Sequence, residues 1–246
     1  MPVIDLPLNR INKLLEKSVT LDELEEYCLQ LGLDVEDKND EKIKVEYNPN
    51  RPDFSSIAGI TRALNGLLGL ETGIPKYSLK KSGIKVLVEE SIKGIRGHIQ
   101  CAIIRDVQLT EDRIAELMNI QEALHWVIGR DRKKVSIGIH DMANITPPFR
   151  YFGAKATEHP FIPLTSEKKM TPKEICMEHP KGKKYVHLVD PDGLVPLLVD
   201  KNDGVLSFPP IINGVLTQVN QNTKDIFIDV TGPEEQAVRY CLEILA

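Results

Sequence analysis

The sequence predicts an α+β fold, with a small N-terminal α/β module followed by a larger mixed-sheet domain with surrounding helices. Three observations predict it. Apolar runs flank Asp203-Gly204 as a β-hairpin would. Well-capped helical segments are scattered among the strands without the strict alternation of a doubly wound sheet. A Gly-, Pro- and Lys-bearing stretch, Gly73-Ile74-Pro75 and then Lys80-Lys81-Ser82-Gly83, reads as a linker between domains at 1–78 and 84–246.

The 246 residues can bury a sizeable core, and 41% hydrophobic with 27% charged content is ordinary for a globular chain. No apolar run approaches the ~20 residues that span a bilayer. Met1-Pro2-Val3-Ile4-Asp5 has neither the basic flank nor the apolar core of a signal peptide, so a cytoplasmic location without membrane attachment is expected. The four cysteines, Cys28, Cys101, Cys176 and Cys241, are widely scattered, which argues against zinc and against a disulfide framework. A net charge of −5 does not advertise nucleic acid, DNA least of all, yet it permits a local basic patch.

Leu8, Ile11, Leu14 and Leu15 recur at helical spacing. Thr20-Leu21-Asp22-Glu23 is a capping box for a helix through Leu31, with Gly32 as the left-handed residue after it. Ile43, Val45 and Tyr47 alternate with Lys44 and Glu46 as a half-buried strand. Asn48–Asp53 must turn, and Asp53 or Ser55 caps a helix carrying Ile57, Ile60, Leu64 and Leu67. In the second half, strands are expected at Ile84–Val88 and Gln100–Leu109. Thr110 caps a long helix, Glu111–Ile128, that Gly129 closes, and Val135–Asp141 is a strand. Pro147-Pro148 opens a loop extending to about Ser166. Thr171-Pro172-Lys173-Glu174 is a second capping box, for a short helix that His179-Pro180-Lys181-Gly182 ends. Tyr185–Val189 reads as a strand and Asp190–Gly193 as a turn. Two arms then enclose Asp203-Gly204, where Gly tolerates the positive φ of the turn, and Pro209-Pro210 stops the second arm. Ile226–Val230 is a strand, and Thr231 or Gly232 caps a last helix starting at Pro233.

No G-x-S-x-G elbow, H-E-x-x-H, P-loop or G-x-G-x-x-G is present, so any chemistry must use dispersed polar groups. His140-Asp141 offers an acid and a base, but neighbours on a strand point to opposite faces and so do not meet. A structural role is the ordinary reading of His140, and a packing or surface role that of His125. Arg130, Arg132, Lys133 and Lys134 follow a helix C-terminus, where cations complement the dipole or contact a phosphate backbone. Lys181, Lys183 and Lys184 form a similar cluster. Ser207 has no nearby His or Lys to activate it. Taken singly, Ser207, Asp229 and Thr231 read as hydrogen-bonding or capping residues, and their placement at strand ends and a helix start is what marks a site.

Asn48-Pro49-Asn50-Arg51-Pro52-Asp53 followed by Gly59-Ile60-Thr61-Arg62-Ala63-Leu64 resembles the N-terminal module of the phenylalanyl-tRNA synthetase β-subunit family. Gln121–His125 ahead of Ile137–Asp141 is similar to it too. The most specific matches are Val205–Asn213 and Phe227–Gly232, which resemble the archaeal and eukaryotic branch. The bacterial branch inserts an OB-type tRNA-binding domain where Tyr47 here runs directly into Asn48–Asp53. The resemblance implies an N-terminal fragment whose missing C-terminal part pairs with the synthetase α subunit, and which lacks the activation site. It further implies that the second domain is an editing domain, hydrolysing the ester of tyrosine wrongly attached to phenylalanine tRNA. Catalytic groups would be Ser207, Asp229 and Thr231, with Leu198 joining them in substrate binding. No cofactor is implied for editing, whereas ATP and Mg serve only the full synthetase. In this scheme Leu198 packs the ring, Asp229 or Ser207 reads the phenol or orients water, and Thr231 holds the ester near a helix N-terminus. The alternative is a non-catalytic tRNA-binding or subunit-scaffolding module.

Overall fold

The structure, a computed structural model, describes residues 2–74 and 76–245, and its contacts divide the chain into two units. One is Met1–Lys80 with Glu116–Val127, the other Lys81–Ala115 with Ile128–Ala246. The division cuts the chain between Lys80 and Lys81, and Pro75 of the expected linker lies outside the described residues. Residues 116–127 group with the first unit, although the sequence reading gave them to the second domain.

In the first unit, β1 (Val3–Pro7) leads straight into α1 (Leu8–Leu14). The second helix, α2 (Leu21–Gln30), begins at the expected capping box, and Thr20 and Glu23 satisfy each other's backbone donors. Gly32 follows at φ +75° and turns the chain into β2 (Asp34–Lys38), which pairs with β3 (Lys42–Glu46). The antiparallel sheet runs β1-β3-β2. The next helix, α3 (Ile57–Leu67), is capped by Ser56, whose Oγ accepts from the Gly59 N–H at 3.0 Å. Neither Asp53 nor Ser55 does this, because Pro52–Ser55 forms its own 3₁₀ turn. Leu6, Ile11, Leu24, Ile43, Val45, Ile60 and Leu64 form the core, each stabilising by roughly 1.5–3 kcal/mol.

The second unit is built on two sheets. The strands are β4 (Val86–Val88) and β5 (His98–Ile104), then, after helix α4 (Glu111–Val127), β6 (Ser136–Asp141) and β7 (Phe149–Lys155). That last strand, Phe149–Lys155, occupies the first part of the loop expected between Pro147 and Ser166. Its aromatic run Phe149, Tyr151 and Phe152 fills the middle of a sheet, which a proline pair just ahead of it concealed. Helix α5 (Pro172–Glu178) starts at the second capping box. His179 then caps a further helix, α6 (Pro180–Tyr185), where a helix end and then a strand at Tyr185–Val189 were expected. Pro180 fits the first turn of that helix because no N–H is needed there. The chain continues as β8 (Leu194–Val199), β9 (Val205–Phe208), β10 (Ile212–Asn213), β11 (Ile226–Gly232) and α7 (Glu235–Leu245). One sheet has the order β10-β9-β8-β7-β4 and the other β5-β11-β6.

The β8–β9 hairpin forms as expected, but Asp203 carries the positive φ, at +60°, rather than Gly204. Asp tolerates that region better than most residues. Asp200 organises the turn: its Oδ1 accepts from the Asn202 and Gly204 N–H groups at 2.8 Å each, and its Oδ2 from Thr146 N–H at 3.0 Å. Asp200→Ala removes the acceptor of three part-buried backbone donors, so we expect a loss of about 1–3 kcal/mol in a urea titration, with Asp203→Ala costing much less.

Burial pushes the thiols of Cys28 and Cys241 up to about 12 and that of Cys176 to about 11, and raises Cys101 well above its ordinary value. All four are free. No described helix is long and apolar enough to cross a membrane.

Candidate functional site

Strand β11 runs between β5 and β6, and its register decides which side chains meet. Asp229 lies opposite Cys101 on one side and Gly138 on the other. Directly opposed residues share a face, as do residues two apart along a strand. One face therefore carries Phe227, Asp229 and Thr231 from β11, with His140, Gly138 and Ser136 from β6. The same face of β5, with Ile99, Cys101 and Ile103, packs into a core shared with Tyr151, Leu198 and Leu206 of the five-stranded sheet.

His140 bridges two partners. Its Nε2 stands 2.7 Å from Asp229 Oδ2, and its Nδ1 stands 2.8 Å from Thr217 Oγ1. The His140 side chain is 0% exposed and that of Asp229 1%. Gly138 makes this pair possible, because a Cβ there would lie 2.0 Å from Asp229 Oδ2 and 2.4 Å from His140 Nε2. As the alternation of a strand requires, Asp141 does not touch His140. It accepts instead from Thr223 Oγ1 at 2.6 Å and from Ala143 N–H at 2.8 Å.

Thr231 sits inside β11, ahead of a helix that starts only at Glu235, so it caps nothing. Its Oγ1 accepts from Arg96 Nε at 3.0 Å and lies 3.0 Å from Ser136 Oγ. Arg96 also donates through Nη2 to the carbonyls of Thr231 at 2.8 Å and Arg132 at 3.2 Å. Burial lowers the Arg96 pKa to about 10, while Tyr151 and Asp229 oppose the shift and Arg132 adds to it. The positive charge behind Thr231 is therefore a guanidinium, and the expected helix end is replaced by it.

Leu198 and Ser207 come from the hairpin and are direct cross-strand neighbours, with Tyr151 flanking Leu198 on its other side. A β-bulge between Leu198 and Val199 leaves Leu206 as the extra residue, so Leu206 and Ser207 follow each other without the usual alternation. Ser207 Oγ is buried and has no hydrogen-bond partner among the described residues. Thus Asp229 and Thr231 share one sheet face, while Leu198 and Ser207 form a neighbouring pair on the other sheet.

The basic run separates. Arg130 and Lys133 are exposed, and Lys134 pairs with Glu234 at 2.8 Å. Arg132 corrects the expectation of a phosphate contact: it is 5% exposed, donates to the Pro210 and Ile211 carbonyls at 3.2 Å each, and covers the Tyr185 ring. Lys181, Lys183 and Lys184 lie exposed on α6.

Sequence reasoning set His140 aside and did not single out Thr217, Arg96, Ser136 or Gly138. Pairing β6 with β11 would have brought His140 close to Asp229, but nothing local in either segment specifies that pairing.

A family model described as the B3/4 domain matches residues 108–243, and one described as the Phe-tRNA synthetase beta subunit B1 domain matches residues 1–69. The chain is 45% identical over its whole length to the phenylalanine–tRNA ligase beta subunit of Methanospirillum hungatei, and 44% identical to that of Methanosarcina acetivorans. It spans 44% of the length of each. A crystal structure of an N-terminal fragment of the phenylalanyl-tRNA synthetase beta subunit from Pyrococcus horikoshii superposes with a TM-score of 0.94 at 37% identity, covering 99% of this chain and 72% of that one.

Proposed function

This chain belongs to the phenylalanyl-tRNA synthetase β-subunit family, and from that premise we propose that its second unit proofreads, hydrolysing the ester of tyrosine mischarged on phenylalanine tRNA. The observation that carries this reading is the Ser207 hydroxyl, buried without a partner beside the apolar Leu198. An unpaired buried hydroxyl costs about 1–3 kcal/mol, which a ligand's own polar group would offset. A pocket that binds Phe by apolar contact rejects an added hydroxyl poorly, so discrimination needs a second site that hydrogen-bonds that hydroxyl.

In the proposed site Leu198 packs the ring and Asp229 or Ser207 takes the phenol. Thr231 holds the ester end, with the Arg96 guanidinium behind it to favour developing negative charge on the carbonyl oxygen. Water is the nucleophile, and the step calls on no cofactor. The rest of a full-length subunit would join the α subunit, where ATP and Mg serve aminoacylation.

The test mixes the purified chain with tyrosyl- and phenylalanyl-charged phenylalanine tRNA. Tyrosyl ester should be lost well above the buffer rate while phenylalanyl ester persists. If neither is lost, the chain is a non-catalytic tRNA-binding or scaffolding module.

For the tRNA itself, the exposed pair Arg130 and Lys133 is the part of the basic run open to phosphate. Replacing both with Ala should weaken tRNA binding and make the slope of log K against log salt shallower by roughly 1–2. A filter-binding salt series checks this, and an unchanged slope returns both residues to a solvated turn.

A further inference from the structure

Building on the hydrolytic reading above, we propose that His140 is a specificity-determining positioning residue. Clamped between Thr217 and Asp229, it holds the Asp229 carboxylate as a fixed acceptor for the substrate's phenol hydroxyl.

As the partner of a carboxylate, His140 Nε2 donates to Asp229 Oδ2 at 2.7 Å, and the neutral ring then accepts from Thr217 Oγ1 at Nδ1, 2.8 Å away. Thr217 Oγ1 also lies 3.3 Å from the Gly214 carbonyl and 3.5 Å from the Leu206 carbonyl. The clamp links the Thr217 turn, Val215–Thr217, to the middle of β11. Among the described residues His140 is a side-chain hydrogen-bond partner of Asp229 through Oδ2, and in this proposal Oδ1 takes the phenol hydroxyl.

An ionised carboxylate only accepts hydrogen bonds, and a phenol hydroxyl donates one. Phenylalanine at the same place would leave that acceptor buried and unpaired, which is the strongest form of rejection available to a binding site. Discrimination thus depends on the carboxylate being held in place, and His140 holds it.

The test compares the wild-type chain with His140→Asn and His140→Gln. Asn keeps a group near Nδ1 for Thr217 but cannot reach Asp229, whereas Gln places an N–H near the position of Nε2. Binding of non-hydrolysable tyrosyl- and phenylalanyl-adenosine amides is measured by calorimetry, alongside ester hydrolysis and thermal melting. We expect a tyrosyl preference of about 10⁴-fold in wild type, reduced at least tenfold in His140→Asn and recovered in part by His140→Gln. If the wild type prefers tyrosyl and His140→Asn keeps that ratio, even with a lower melting point, His140 is structural and this inference alone falls. If the wild type neither prefers nor hydrolyses the tyrosyl compound, the hydrolytic reading falls and takes this one with it.

Discussion

Asp229→Ala should reduce tyrosyl-ester hydrolysis by at least about 100-fold and lower stability by about 3–5 kcal/mol, because it strands buried polar groups on two sides. His140 Nε2 loses its acceptor in surroundings that include the Phe227 ring, 6.0 Å away between centroids. The buried Arg96 loses the carboxylate whose charge favours its protonated form. Asp229→Asn separates the two losses, since the amide oxygen still accepts from His140 while the charge is gone. Chemical denaturation of both variants, with hydrolysis rates beside it, gives the comparison. A full-rate Asp229→Ala would remove this carboxylate from the proposed site altogether.

Gly138→Ala should be nearly as damaging, with one methyl group as its only change. The added carbon would stand 2.0 Å from Asp229 Oδ2 and 2.4 Å from His140 Nε2. Those atoms belong to β6 and β11, both paired along their length and fully buried, so neither partner has room to retreat. Overpacking of this kind costs about 1–3 kcal/mol. Displacing the pair by an ångström should slow hydrolysis by a further factor of about 100. A melting point and rate both at the wild-type value would show that the strands yield more readily than their packing suggests.

Local chemistry made much of the fold legible. The reciprocal caps at Thr20/Glu23 and Thr171/Glu174, the alternation of Ile43 and Val45, and the runs flanking Asp203-Gly204 each act within a few residues. Where one local signal had two uses, the reading went astray. His179-Pro180 ends one helix and starts the next, and Pro147-Pro148 precedes a central strand as readily as a loop. Thr231 before Gly232-Pro233 looks like a cap, yet pairing with Ile99 and Ser136 keeps it in the sheet.

The candidate site was legible only as a set of polar residues on nearby elements. Which partners they hold depends on β11 lying between β5 and β6, an arrangement among segments far apart in the chain. The bulge at Leu206 is equally silent, because it shifts Ser207 by one place in the ladder without leaving a Gly or Pro to announce it.

The buried thiols have a practical consequence. Cys28, Cys176 and Cys241 are buried and Cys101 half-buried, and burial raises all four thiols above the ordinary cysteine pKa, so they offer less thiolate than a free cysteine to a maleimide or a mild oxidant. A single cysteine introduced at exposed Val215, two residues from Thr217, would take a fluorescent label in preference to them. Its emission would then report, in real time and in an otherwise unmodified protein, whether the turn behind His140 moves when an aminoacylated end arrives.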